Sequence, residues 1–108
     1  MPRTAASPAK AAQTKALRQQ AGRWLKQARE EAGLTQAELA ERVGLRYYTF
    51  VSQVESGLGR LPIETQGVWA QALGQDPGDF ARTLLRFYEP ELYRLLFDGE
   101  ACAVAKEA

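Results

Sequence analysis

Apolar residues recur at helical spacing along most of the chain, and glycine or proline interrupts them at regular intervals. Leu17, Ala21, Trp24, Leu25 and Ala28 fall on or near one face of a first helix. It begins around Thr14 and should stop at Gly33, the position of a helix-ending glycine. Thr35-Gln36-Ala37-Glu38 has the T-x-x-E form in which a threonine hydroxyl caps a helix and the glutamate reaches back. Residues 35–43 therefore predict a second helix, with Leu39, Ala40 and Val43 recurring at helical spacing and Gly44 supplying a sharp turn. A third apolar stripe, Tyr47, Val51, Val54 and Leu58, predicts a helix over 46–56 stopped by Gly57. After a loop over 58–61, Pro62 opens a fourth helix that runs to about Leu73 and stops at Gly74. Asp76-Pro77-Gly78-Asp79 reads as cap, first-position proline and first-turn acid of a fifth helix, running from Pro77 towards Tyr88. Pro90 breaks it, and residues 91–97 predict a short sixth helix. No strand-like alternation competes, so the predicted fold class is all-α.

Two short helices joined by a tight glycine turn, over 35–57, make a helix-turn-helix pattern. The second helix of such a pair has the diameter that enters the DNA major groove. The expected function is sequence-specific binding of double-stranded DNA. Four stretches follow from the same pass: a flexible basic arm over 1–13, a DNA-binding domain over 14–80, a helical dimerisation extension over 81–97 and a flexible tail over 98–108. The arm combines Pro2 and Pro8 with small residues that bury little apolar area.

Composition narrows the function class. The 108 residues are 45% hydrophobic and 25% charged, ordinary for a soluble domain. No apolar run approaches the roughly 20 residues of a membrane helix, and no secretory signal core opens the chain. A cytoplasmic protein is expected. There is one cysteine, Cys102, and no histidine, which removes the commonest general base and nitrogen metal ligand together. Neither a G-x-x-x-x-G-K nor a G-x-G-x-x-G phosphate cradle occurs. Nothing here indicates an enzyme, a cofactor, a metal or a small-molecule ligand.

The net charge of +1 hides a gradient. Residues 1–29 carry seven basic side chains and no acidic one; 30–60 carry three basic and five acidic, and the remainder four and eight. A basic front and an acidic back suit an approach to a polyanion from one side.

The run Leu25-x-x-Ala28-Arg29-x-x-x-Gly33-Leu34-Thr35-Gln36-x-x-Leu39-Ala40-x-x-Val43-Gly44, followed by Val51-Ser52-x-Val54-Glu55-x-Gly57, resembles the DNA-binding domain of the Cro/cI family. This family is also called the xenobiotic-response-element family. The resemblance covers residues 22–80 and implies a λ-repressor-like five-helix domain carrying a C-terminal helical extension. Residues 45–50 depart from it. They are one longer than the family pattern, and Arg46-Tyr47-Tyr48 replaces a serine-type cap, which leaves the register of the first turn of the third helix open.

Periodicity places Tyr47, Val51, Val54 and Leu58 on the core side, with Phe50 at its edge. The opposite side carries Arg46, Thr49, Ser52, Gln53 and Ser56. Aligned backwards from Gly57, the resemblance implies base-reading positions at Tyr48, Thr49 and Gln53. The candidate base contacts are therefore Arg46, Tyr48, Thr49, Ser52 and Gln53. Gln53 can pair bidentately with adenine, and Thr49 offers a hydroxyl and a methyl that meets thymine. The resemblance further implies that Gln36 touches phosphate and braces the recognition helix, and that Ser56 and Arg60 grip the backbone. Glu55 is expected to face away from DNA. The recognition helix holds no lysine or arginine in its interior, so Lys15, Arg18 and Arg23 of the basic front are further candidate backbone contacts. The plainer alternative for that front is a solvated helix face with a tail.

Ten large apolar or aromatic residues lie between Phe80 and Phe97. One face of the fifth helix closes the core, and the rest would leave an exposed apolar patch of the kind that marks an interface. A homodimer through Leu84, Phe87, Tyr88, Leu92, Leu96 and Phe97 is expected, binding an inverted repeat; the alternative is that the segment wraps onto its own domain. The expected role is a transcription regulator, a repressor above all. A protein-interaction adaptor or an antitoxin-type module on the same fold is the alternative.

Overall fold

The computed structural model describes residues 8–97. Six helices follow one another: α1 (Pro8–Glu31), α2 (Gln36–Arg42), α3 (Thr49–Ser56), α4 (Ile63–Ala72), α5 (Pro77–Tyr88) and α6 (Pro90–Leu96). No strand occurs among the described residues. The predicted caps form. Thr35 accepts from the Glu38 N–H at 3.0 Å, and the Glu38 carboxylate accepts from the Thr35 N–H at 2.8 Å. Asp76 caps α5 by accepting from the Asp79 N–H at 2.9 Å. The four predicted helix-ending glycines, Gly33, Gly44, Gly57 and Gly74, all have positive φ.

α1 starts at Pro8, six residues before the expected Thr14. The stretch Pro8-Ala9-Lys10-Ala11-Ala12 has little to bury, yet proline suits a first helical turn and alanine is the strongest helix former. Tertiary surroundings help as well, because Gln13, Thr14 and Leu17 face Phe87 and Pro90 across a shallow concavity. Residues 8–13 thus extend the helix. Residues 1–7 of the arm expected over 1–13, and the tail expected over 98–108, lie outside the described residues.

The core gathers around Trp69 and Phe80, with Leu25, Leu39, Val51, Val54, Leu61 and Leu84 fully buried beside them. Each such side chain contributes about 1.5–3 kcal/mol. Trp24 packs on Phe80 with ring centroids 5.3 Å apart, and Phe50 meets Trp69 edge-on at 6.3 Å. α1 lies against both α3 and α5; α4 packs on α5 and α2 on α3. The last helix, α6, packs on α5 and buries no residue of its own.

That packing corrects the expected dimer set. Leu84 is 0% exposed and Tyr88 8%, so both belong to the protomer's own core, and Phe87 packs half-buried against it. The Tyr88 hydroxyl accepts a 3.1 Å hydrogen bond from the buried Leu61 N–H. α5 turns Phe80, Leu84 and Tyr88 inward at four-residue spacing, which periodicity along α5 alone would indicate. Leu92, Leu96 and Phe97 remain exposed, and Leu95, 67% exposed, joins them.

Candidate nucleic-acid interface

The path from α2 to α3 is set by Gly44. Its φ of 84° lets the chain reverse, and the Leu45 N–H then closes back on the Ala40 carbonyl at 2.8 Å. Residues 45–48 form an extended turn, and α3 begins only at Thr49. Tyr48 occupies the cap position, where its side chain makes no capping hydrogen bond. The expected start at Arg46 is therefore too early by three residues. Two further expectations fail for the same reason. Tyr47 is 69% exposed and Leu58 79%, although both were placed on the core side. The 100° rotation per residue holds only inside a helix, and these two residues flank α3 rather than belong to it. Val51 and Val54, inside it, are fully buried as predicted.

Thr49, Gln53 and Ser56 lie on the exposed side of α3, with Ser52 half-buried beside them. Arg46, Thr49 and Gln53 border one shallow depression together with Tyr47 and Phe50. Tyr48 borders a neighbouring one with Thr35, Gln36 and Ala37 at the start of α2. The extended turn thus carries Arg46 to the Thr49–Gln53 side and Tyr48 to the α2 side. The Ser56 hydroxyl donates to the Gln53 carbonyl at 3.0 Å and folds back on its own helix.

Behind this surface lies a polar cluster that sequence reasoning missed. Arg29 Nε donates to Glu55 Oε2 at 2.7 Å, Arg29 Nη2 donates to Glu55 Oε1 at 3.2 Å, and Arg29 Nη1 donates to the Leu34 carbonyl at 2.7 Å. The hydrogen bond to Glu55 holds the Arg29 pKa above its ordinary value, against the opposing effect of burial. Gln36 Nε2 donates to the same Glu55 Oε1 at 2.9 Å. One carboxylate therefore ties α1, the start of α2 and α3 together. Gln36 braces α3 as the resemblance implied. Glu55 faces inward and is a structural partner, a role its acidic type alone did not suggest. The available signal was that Arg29 and Glu55 both fall in the stretches that carry the Cro/cI resemblance.

A second missed residue is Gly22. A Cβ built on it would stand 2.2 Å from the Glu55 carbonyl oxygen and 2.8 Å from that of Val54. Only glycine lets α1 and α3 approach this closely. Further along, Gly57, at φ 86°, lies against Gln19 of α1. Lys15 and Arg23 are exposed on α1, and Arg18 is half-buried, its charge felt at Tyr88. Arg60 turns away from α3, donating to Glu89 at 2.9 Å with its guanidinium 4.8 Å over the Tyr88 ring.

A helix-turn-helix family model, of the Cro/cI type, matches residues 25–80. The chain belongs to this helix-turn-helix family. The match spans α2, α3 and α4 with the end of α1 and the start of α5, the part of the fold that presents Thr49 and Gln53. The λ-repressor-like arrangement of helices is that of the family, and the family places the protein among DNA-binding transcription regulators acting on double-stranded DNA. No curated protein matches the chain. No helix among the described residues is long and apolar enough to cross a membrane.

Proposed function

We propose that this helix-turn-helix protein is a repressor that binds an inverted-repeat operator as a homodimer. α3 enters the major groove with Thr49 and Gln53 at base edges, Gln53 on adenine and Thr49 on a thymine methyl. Arg46, Tyr48 and Ser52 flank that contact. Gln36 and Ser56 meet phosphate, and Lys15, Arg18 and Arg23 add attraction from α1. Arg60 is left out of this set because Glu89 and Tyr88 already hold it. The observation that carries the reading is the shared exposed border of Arg46, Thr49 and Gln53, fixed from behind by the Arg29–Glu55–Gln36 cluster.

Support for pairing comes from α6, whose Leu92, Leu95 and Leu96 are exposed next to Phe97. Two copies joined there present two reading helices to half-sites about one duplex turn apart. Selection from a random-sequence duplex library, with sequencing of the bound fraction, tests the proposal. Enrichment of a short palindrome supports it. Absence of enrichment at low salt would instead favour a protein-interaction adaptor on the same fold.

A further inference from the structure

Arg60 before α4, the first turn of α4 and helices α5 and α6 line an open cavity of about 430 Å³ that shares no residue with the Thr49–Gln53 surface. Ile63, Ala81, Leu85, Leu92 and Phe97 give it apolar walls. The volume lies in the range that small organic ligands occupy. Its polar groups are few: the buried Gln66, Glu89, and the guanidinium groups of Arg60 and Arg82.

Of the two arginines, Arg60 is already held, by a 2.9 Å hydrogen bond to Glu89 and by the Tyr88 ring beneath its guanidinium, and Arg82 is the one with donors to spare. Arg82 stands 5.2 Å over the Phe97 ring at the cavity, and its nearest carboxylate oxygen, Asp79 Oδ1, is 3.5 Å away. Both members of that pair are exposed, and a pair of that length and exposure holds the guanidinium weakly. A carboxylate arriving at the cavity meets an open planar fork beside an apolar slot. Glu89, on the same rim, opposes a ligand of higher negative charge.

We propose that this cavity binds an organic monocarboxylate with an aliphatic or aryl body. Its carboxylate rests on Arg82, and its apolar body lies between α5 and α6 against Ala81, Leu85 and Leu92. This site shares Leu92 and Phe97 with the pairing surface proposed above and no residue with the Thr49–Gln53 face, and its test uses no DNA.

The full chain is titrated with decanoate and, separately, with decan-1-ol, following methyl resonances by NMR and heat by calorimetry. Decanoate should saturate at one per chain, with shifts centred on Ala81, Leu85 and Leu92, and the alcohol should bind at least tenfold more weakly. Arg82→Ala, a change at an exposed side chain, should remove that preference by weakening decanoate alone. Ala81→Phe should fill the cavity and abolish binding of both, with an unchanged thermal melt. Three results would overturn the site: no saturation at millimolar decanoate, equal affinity for acid and alcohol, or full decanoate binding by Arg82→Ala. All titrations are run at one fixed protein concentration, so that any shift at Leu92 from pairing of two copies stays constant while decanoate is added.

Discussion

Arg29 and Glu55 form a buried ion pair, 2.7 Å from Nε to Oε2, across the contact between the first helix and the recognition helix. Both oxygens of the carboxylate are used, because Arg29 Nη2 and Gln36 Nε2 share Oε1, and Leu34 takes a further Arg29 N–H. Removing one partner of such a pair leaves a charge uncompensated. Glu55→Met should therefore cost about 3–5 kcal/mol of unfolding free energy in a denaturant titration. The double change Arg29→Met with Glu55→Met should recover a large part of that loss. Equal losses in the single and double variants would show that packing, not charge, sets the value of the pair.

Gly22 and Gly67 are both helical glycines, and the fold assigns them opposite outcomes. Gly22→Ala drives a Cβ into the Glu55 carbonyl and should destabilise by about 1–3 kcal/mol, the usual range for overpacking. Gly67→Ala adds a methyl where nothing stands within 4 Å, on an exposed position of α4. It should stabilise by about 0.5–1 kcal/mol through the better helix propensity of alanine. Thermal melts of the two variants check both signs.

Much of this architecture is legible in the sequence. The capping box at Thr35, the Asp76 cap and the glycine stops are local chemistry, so each could be read from a few adjacent residues. The boundaries of α3 were less legible, because the turn after Gly44 is extended and a helical period carried across it turns Tyr47 the wrong way. Long-range relationships were the hardest. The reason for a glycine at position 22 lies 33 residues away in the Glu55 carbonyl, and the partner of Arg29 lies 26 residues away. The exposed face carrying Thr49 and Gln53 was readable because both sit inside α3, where the period holds.

Tyr88 gives stability a dependence on alkaline pH. Burial raises its phenol pKa above the ordinary value of 10.0, against the opposing effects of the Leu61 N–H and of Arg60 and Arg18. A pKa raised on folding means that the folded chain holds the proton more tightly than the unfolded one. The associated stability is complete below pH 10.0 and is lost as pH rises from there through the folded-state value. Tyr88→Phe should abolish this alkaline component. The same variant should lose about 1–3 kcal/mol at neutral pH, since the buried Leu61 N–H loses its acceptor. Denaturant titrations at neutral and alkaline pH separate the two effects.

Pairing through α6 predicts a specific variant behaviour. Leu96→Asp with Phe97→Ser changes two exposed side chains, so the helical circular dichroism should be retained. Sedimentation mass should fall from two chains to one. Palindrome binding should weaken strongly, because the second half-site contact is no longer effectively intramolecular. A wild type that sediments as one chain, on and off DNA, would contradict the dimer.

The reading face itself is tested by the preference of Thr49→Ala and Gln53→Ala for the selected operator over a scrambled duplex, measured at one salt concentration. Each variant should lose about 1–3 kcal/mol of operator binding while scarcely changing its affinity for the scrambled sequence. Retention of the full wild-type preference by both variants would contradict the assignment of α3 as the helix that reads DNA through Thr49 and Gln53.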